Sequence, residues 1–122
     1  MVVDDVPLAS YFIVSALKEA GFTNVFEYND SAEAWNEFAQ ALLIDEEFDL
    51  VITDLNMPEL DGMDFLKQIK SDHMSQSTPV IIASADHDPI VIREAYESGA
   101  LDYFTKPIDT NALIESIKKL FA

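Results

Sequence analysis

The chain has 122 residues, 49% of them hydrophobic and 25% charged, which suits one globular domain with one core and leaves no apolar run long enough to cross a membrane. Twenty-three acidic residues against seven Lys and Arg give a net charge of −16, which argues against direct nucleic-acid binding, since that depends on cationic side chains displacing counterions. There is no cysteine, so disulfides, thiol chemistry and cysteine-rich zinc sites are excluded and any metal must bind to oxygen. Nor does the chain open with a basic, apolar, small-residue leader, which makes the cytoplasm the expected location.

In chain order, short β-branched or aromatic runs alternate with amphipathic segments. A strand over 2–3 delivers Asp4-Asp5, and a helix with Leu8, Phe12, Ser15 and Ala16 on its apolar face runs to Gly21, a suitable C-terminal residue. A strand over 25–28 precedes a helix carrying Ala34, Phe38, Ala39 and Leu42. The acidic link Ile44-Asp45-Glu46-Glu47 reads as solvated surface. The strand over 50–53 then ends in Asp54, followed by Asn56 and Pro58, with Asp61-Gly62 turning the chain into a helix marked by Phe65, Leu66 and Ile69. A strand over 80–83 leads to Ser84, and a helix with Ile92, Ala95 and Tyr96 ends near Gly99. The last strand, over 102–105, leads to Lys106-Pro107. The last helix is capped at Asp109-Thr110 and turns Leu113, Ile114, Ile117 and Leu120 inward.

Strict β-α alternation with continuously apolar strands predicts an α/β, doubly wound fold, a parallel sheet with helices on both faces. In such sheets the ligand site lies beyond the C-terminal strand ends, where strand order reverses. Asp4, Asp5, Asp54, Ser84 and Lys106 all fall at strand ends. Singly, each has an ordinary reading: Asp5 as a cap for a helix with Pro7 in its first turn, Ser84 in a loop, Lys106 as a solvated charge. Together, three carboxylates would repel one another without a counter-charge. Lys106 and a hard cation such as Mg2+ would supply one.

The segments VVDD, VITDLNMPELDG, VIIASA and DYFTKP, in that order, resemble the receiver domain of two-component response regulators over essentially the whole chain. The resemblance implies one receiver domain over 1–122, a (βα)5 flavodoxin-like sandwich with strand order 2-1-3-4-5. It implies that Asp54 accepts a phosphoryl group from a phosphohistidine on a histidine kinase or phosphotransfer protein. Mg2+, with Mn2+ as a substitute, would be held by Asp5, Asp54 and the main-chain carbonyl of Asn56, with Asp4 acting through water. Lys106 would pair with a phosphoryl oxygen, and Lys106-Pro107 is expected to be cis. The protein would be a regulator that catalyses its own phosphorylation and slow dephosphorylation rather than a conventional enzyme.

The same resemblance places Ser84 and Tyr103 at the switch positions. Ser84 would move toward the phosphoryl group, opening space for the Tyr103 ring to turn inward and remodel the surface of the fourth helix, fifth strand and fifth helix. Asn56 and Asp86, each two residues beyond a site residue, are candidates for tuning dephosphorylation. For Asp86 an ordinary solvated loop acid is the competing reading, and His87 reads as exposed loop.

The opening strand is short for the family, so apolar residues added before Met1 should raise the melting temperature. A flavodoxin-like electron carrier is disfavoured because Asp4-Asp5-Val6-Pro7 offers a phosphate two negative charges and one N–H fewer. An aspartyl phosphatase is disfavoured because Asn56 stands where a general acid would be needed. The downstream target or output domain stays open. So does the choice between a monomer and a phosphorylation-dependent homodimer, for which Arg93, Asp102 and Lys118 are candidate intersubunit groups.

Overall fold

The computed structural model describes residues 1–122. Its strands are β1 (Val2–Val3), β2 (Glu27–Tyr28), β3 (Val51–Thr53), β4 (Val80–Ser84) and β5 (Asp102–Thr105). All neighbouring strands pair in parallel, in the order β2-β1-β3-β4-β5. The helices are α1 (Pro7–Glu19), α2 (Ser31–Leu43), α3 (Gly62–Ser71), α4 (Pro89–Glu97) and α5 (Thr110–Leu120). This is the doubly wound architecture expected from the alternation.

Successive strand residues point to opposite faces, so each strand feeds two cores. Val3, Val51, Val80 and Ile82 pack with Phe38, Leu66, Ile69 and Ala95, which places α2, α3 and α4 on one face. Val2, Ile52, Ile81 and Ala83 pack with Ile13, Leu17, Leu113 and Ile117, which places α1 and α5 on the other. Burying each of the larger aliphatic side chains contributes about 2 kcal/mol. This double burial is why the strands read as unbroken apolar runs.

Asp30, Asp61, Asp88 and Asp109 cap α2, α3, α4 and α5 by accepting main-chain N–H bonds. α1 has no side-chain cap. Val6 stands at its N-cap position and Pro7 opens the helix, so Asp5 does not cap it. Beyond its other end, Gly21 takes φ +99°, as the helix stop requires.

At several positions the structure differs from what the sequence predicts. The buried stripe of α1 is Ser10, Ile13, Val14 and Leu17, whereas Leu8 and Phe12 are 63% and 59% exposed. Apolar residues crowd this helix, and the 10-13-14-17 spacing satisfies a helical period as well as the stripe through Leu8 and Phe12 does. Ala39 and Tyr96 likewise face solvent. β2 begins at Glu27 rather than at 25. The Val2 N–H to Phe26 carbonyl bond is the first β1–β2 rung. β3 likewise spans only Val51–Thr53. β4 gains Ser84, which pairs with Thr105.

Candidate active site

Strand order reverses between β1 and β3, and both end in carboxylates. β1 carries the chain directly into Asp4, and the rung from the Asp54 N–H to the Val3 carbonyl (3.0 Å) ties the end of β3 to β1. Residues fifty apart in sequence thus become neighbours. The carboxylate oxygens of Asp4, Asp5 and Asp54 include one from each residue that all lie within 4.8 Å of one another.

Lys106, delivered by β5, closes the cluster. Its Nζ donates to Asp4 Oδ2 at 2.7 Å and to Asp54 Oδ2 at 3.0 Å. The remaining oxygens of the two buried acids are held by the main chain. Asp4 Oδ1 accepts the Val6 N–H at 2.9 Å, and Asp54 Oδ1 accepts those of Leu55 at 2.7 Å and Asn56 at 3.3 Å. Both side chains are therefore fixed before any ligand arrives. The Lys106-Pro107 bond is cis.

Burial pushes the Asp4 carboxyl above its ordinary range; the bonds from Lys106 and Val6 offset this only in part, and the Asp54 charge adds to it. Burial also disfavours the Lys106 ammonium, but its two carboxylate partners together outweigh that and raise its pKa. Three carboxylates against one ammonium leave the site short of positive charge. Its oxygen-only donors, gathered at one rim, fit a hard divalent cation.

Ser84 is fully buried at the end of β4, and its Oγ accepts the Asp86 N–H at 3.2 Å. The Tyr103 ring already packs against the α2–α3–α4 core, with its hydroxyl donating to the Asp86 carbonyl at 2.8 Å. Burial raises the Tyr103 phenol, the Ser84 hydroxyl opposes this, and the charges of Asp86 and Asp54 add to it. Asn56 is exposed, and it lines one shallow cleft with the half-buried Asp86. Asp86 Oδ1 accepts the Asp88 N–H at 2.9 Å, which gives this acid a turn-forming part. His87 is exposed.

Among the candidate intersubunit groups, Arg93 pairs with Glu97 on its own helix. Asp102 is occupied within the chain by the Tyr96 and Ser116 hydroxyls and the Tyr103 N–H. Lys118 is exposed.

Gly62 matters to the site in a way its place in a turn did not suggest. A Cβ there would lie 1.9 Å from the Asp54 carbonyl oxygen and 2.7 Å from Leu55 Cα, so only glycine lets α3 start against the end of β3. Ser31 was also missed. Its buried hydroxyl donates to the Pro58 carbonyl at 2.9 Å, tying the loop after Asp54 to the start of α2.

Comparison with known proteins agrees with this geometry. Residues 1–118 match the response regulator receiver domain family. The chain is 32% identical over 121 residues to the chemotaxis protein CheY of Pseudomonas aeruginosa, covering 99% of this chain and 94% of that protein. It is also 32% identical over 121 residues to chemotaxis protein CheY-3 of Vibrio cholerae, covering 99% of this chain and 89% of that one. The solved receiver domain of the Francisella response regulator 1452 superposes with a TM-score of 0.83 at 32% identity, covering 98% of this chain and 93% of that one. Match length, identity and the acidic rim agree that the chain belongs to the response regulator receiver domain family of two-component signalling.

Proposed function

We propose that residues 1–122 form a phosphorelay receiver in which Asp54 accepts a phosphoryl group from a phosphohistidine on a histidine kinase or phosphotransfer protein. An Asp54 carboxylate oxygen forms the new bond to phosphorus as the phosphorus–nitrogen bond breaks, and the departing imidazole takes up a proton. The product is an acyl phosphate. Asp5, Asp54 and the Asn56 main-chain carbonyl would hold Mg2+, or Mn2+ in its place, with Asp4 contributing through water. The bound cation would neutralise charge on the phosphoryl oxygens.

The chain's own residues do the rest by position and charge. The Leu55 and Asn56 N–H groups orient the Asp54 carboxylate. Lys106, already poised 3.0 Å from Asp54 Oδ2, moves a short way to pair with a phosphoryl oxygen. Ser84 exchanges its bond from the Asp86 N–H for a role as donor to the phosphoryl group, which shifts the β4–α4 loop. Tyr103 is hydrogen-bonded to that loop's Asp86 carbonyl, so loop movement reaches the α4–β5–α5 face, where a downstream partner would dock. Asn56 and Asp86 share one cleft beside the site, consistent with setting the phosphoryl lifetime.

The observation that carries this reading is the shared Lys106 ammonium bridging Asp4 and Asp54, with Asp5 completing the cluster. Incubation with Mg2+ and acetyl phosphate should add one phosphoryl group to the wild-type chain and none to Asp54→Asn. Equal labelling of the variant would refute the assignment.

A further inference from the structure

We propose that Asn29 is a positioning residue for the acidic pocket, holding the Asp4–Asp5 peptide through a hydrogen-bonded path that runs from Glu27 through Ser10. The inference rests on the reading of Asp4, Asp5 and Asp54 as the cation site. It concerns residues that touch neither the cation nor the phosphoryl group.

The path begins where a sheet rung is missing. The Val2 N–H donates to the Phe26 carbonyl, and the Asp4 N–H to the Tyr28 carbonyl at 3.0 Å. One step further the parallel ladder would need a main-chain N–H from residue 30 to reach the Asp4 carbonyl. Asp30 has instead turned away to become the N-cap of α2. The Asn29 side chain takes over, its Nδ2 donating to the Asp4 carbonyl oxygen at 2.8 Å. That carbonyl belongs to the peptide joining the two acids, so its direction governs how Asp5 leaves the strand. Asp5 is the acid with no such fixture of its own, whereas the Asp4 and Asp54 carboxylates are each held by Lys106 and by main-chain N–H groups.

Asn29 is itself anchored. Its Nδ2 also donates to Ser10 Oγ at 2.8 Å, and Ser10 is fully buried on α1. The Ser10 hydroxyl has one proton, with the Glu27 carboxylate and the Pro7 carbonyl (3.0 Å) as acceptors. A charged acceptor competes better for that proton. The donors therefore all point one way, from Asn29 to Ser10 to Glu27, an arrangement in which each bond polarises the next. The amide orientation is unambiguous, because the flipped form would set an oxygen against the Asp4 carbonyl oxygen.

Asn29 is exposed and belongs to neither apolar cluster, so replacing it spares the core. In the full chain, Mg2+ affinity measured by calorimetry should fall about tenfold in Asn29→Ala, the scale usual for groups that orient metal ligands. The melting temperature in EDTA should stay near that of the wild type. In acetyl phosphate reactions the Mg2+ concentration for half-maximal rate should rise, while the rate at saturating Mg2+ is kept. Ser10→Ala, which leaves the Asp4 bond in place, should cause a smaller loss. The double variant should lose no more than Asn29→Ala alone, since both changes break one path. Wild-type Mg2+ affinity in Asn29→Ala, or fully additive losses, would overturn the inference while leaving the cation site standing. A wild-type chain that takes up no Mg2+ would overturn both.

Discussion

One ammonium, that of Lys106, serves two carboxylates that are almost wholly removed from water. Replacing Lys106 with Met would leave those charges facing each other. We expect a loss of about 2 kcal/mol of stability, less than the roughly 3–5 kcal/mol for breaking a fully buried pair because the Lys106 side chain remains 21% exposed. Millimolar Mg2+ should restore most of it, and denaturant melts with and without the cation would check this. Gly62→Ala should cost about 3 kcal/mol through overpacking against the Asp54 carbonyl, and should slow phosphorylation as well. A thermal melt at wild-type temperature would contradict that account. Asp4, Asp5, Asp54 and Lys106 were legible as a converging set because each falls at or just beyond the C-terminal end of a strand. Gly62 and Asn29 were not, because their importance lies in close approaches to residues 8 and 25 positions away, which local pattern does not encode.

At the scale of elements, the start of β1 is tied to the residue before β3. The Met1 ammonium donates to the Leu50 carbonyl at 2.9 Å. Desolvation lowers its pKa from 8.0 to about 6, against a smaller opposing effect from Asp49. The folded state thus binds this proton more weakly than the unfolded state does. The associated stability is present above pH 8 and is lost as pH falls toward 6, a change on the order of 2 kcal/mol. Three apolar residues placed before Met1 should abolish that dependence and raise the melting temperature. A pH-independent wild-type melt between 6 and 8 would argue against it. In β5, Tyr103→Phe should cost about 1 kcal/mol by removing the bond to the Asp86 carbonyl. Tyr103→Ala should still be phosphorylated while losing phosphorylation-dependent partner binding, which a pull-down with beryllofluoride would read. Element order and type were legible from periodicity. The inward face of α1 was not, because two apolar stripes fit one helical period and only the sheet beneath selects Ile13 and Leu17.

For the whole molecule, the parallel sheet does two things at once. Its double-sided burial makes a rigid platform, and its reversal between β1 and β3 brings acids from distant parts of the chain to one rim. That arrangement concentrates negative charge in a chain already at −16, so binding a cation relieves repulsion both locally and globally. In the proposed function, one acid of this cluster, Asp54, carries the phosphoryl group. The most direct measurement is peptide mapping by mass spectrometry after phosphorylation with acetyl phosphate and Mg2+, followed by borohydride reduction, which marks the carboxylate that formed the acyl phosphate. The mark should fall on Asp54 alone. A mark on Asp4 or Asp5, or an unmarked chain that still carries phosphate, would rule out Asp54 as the phosphoacceptor.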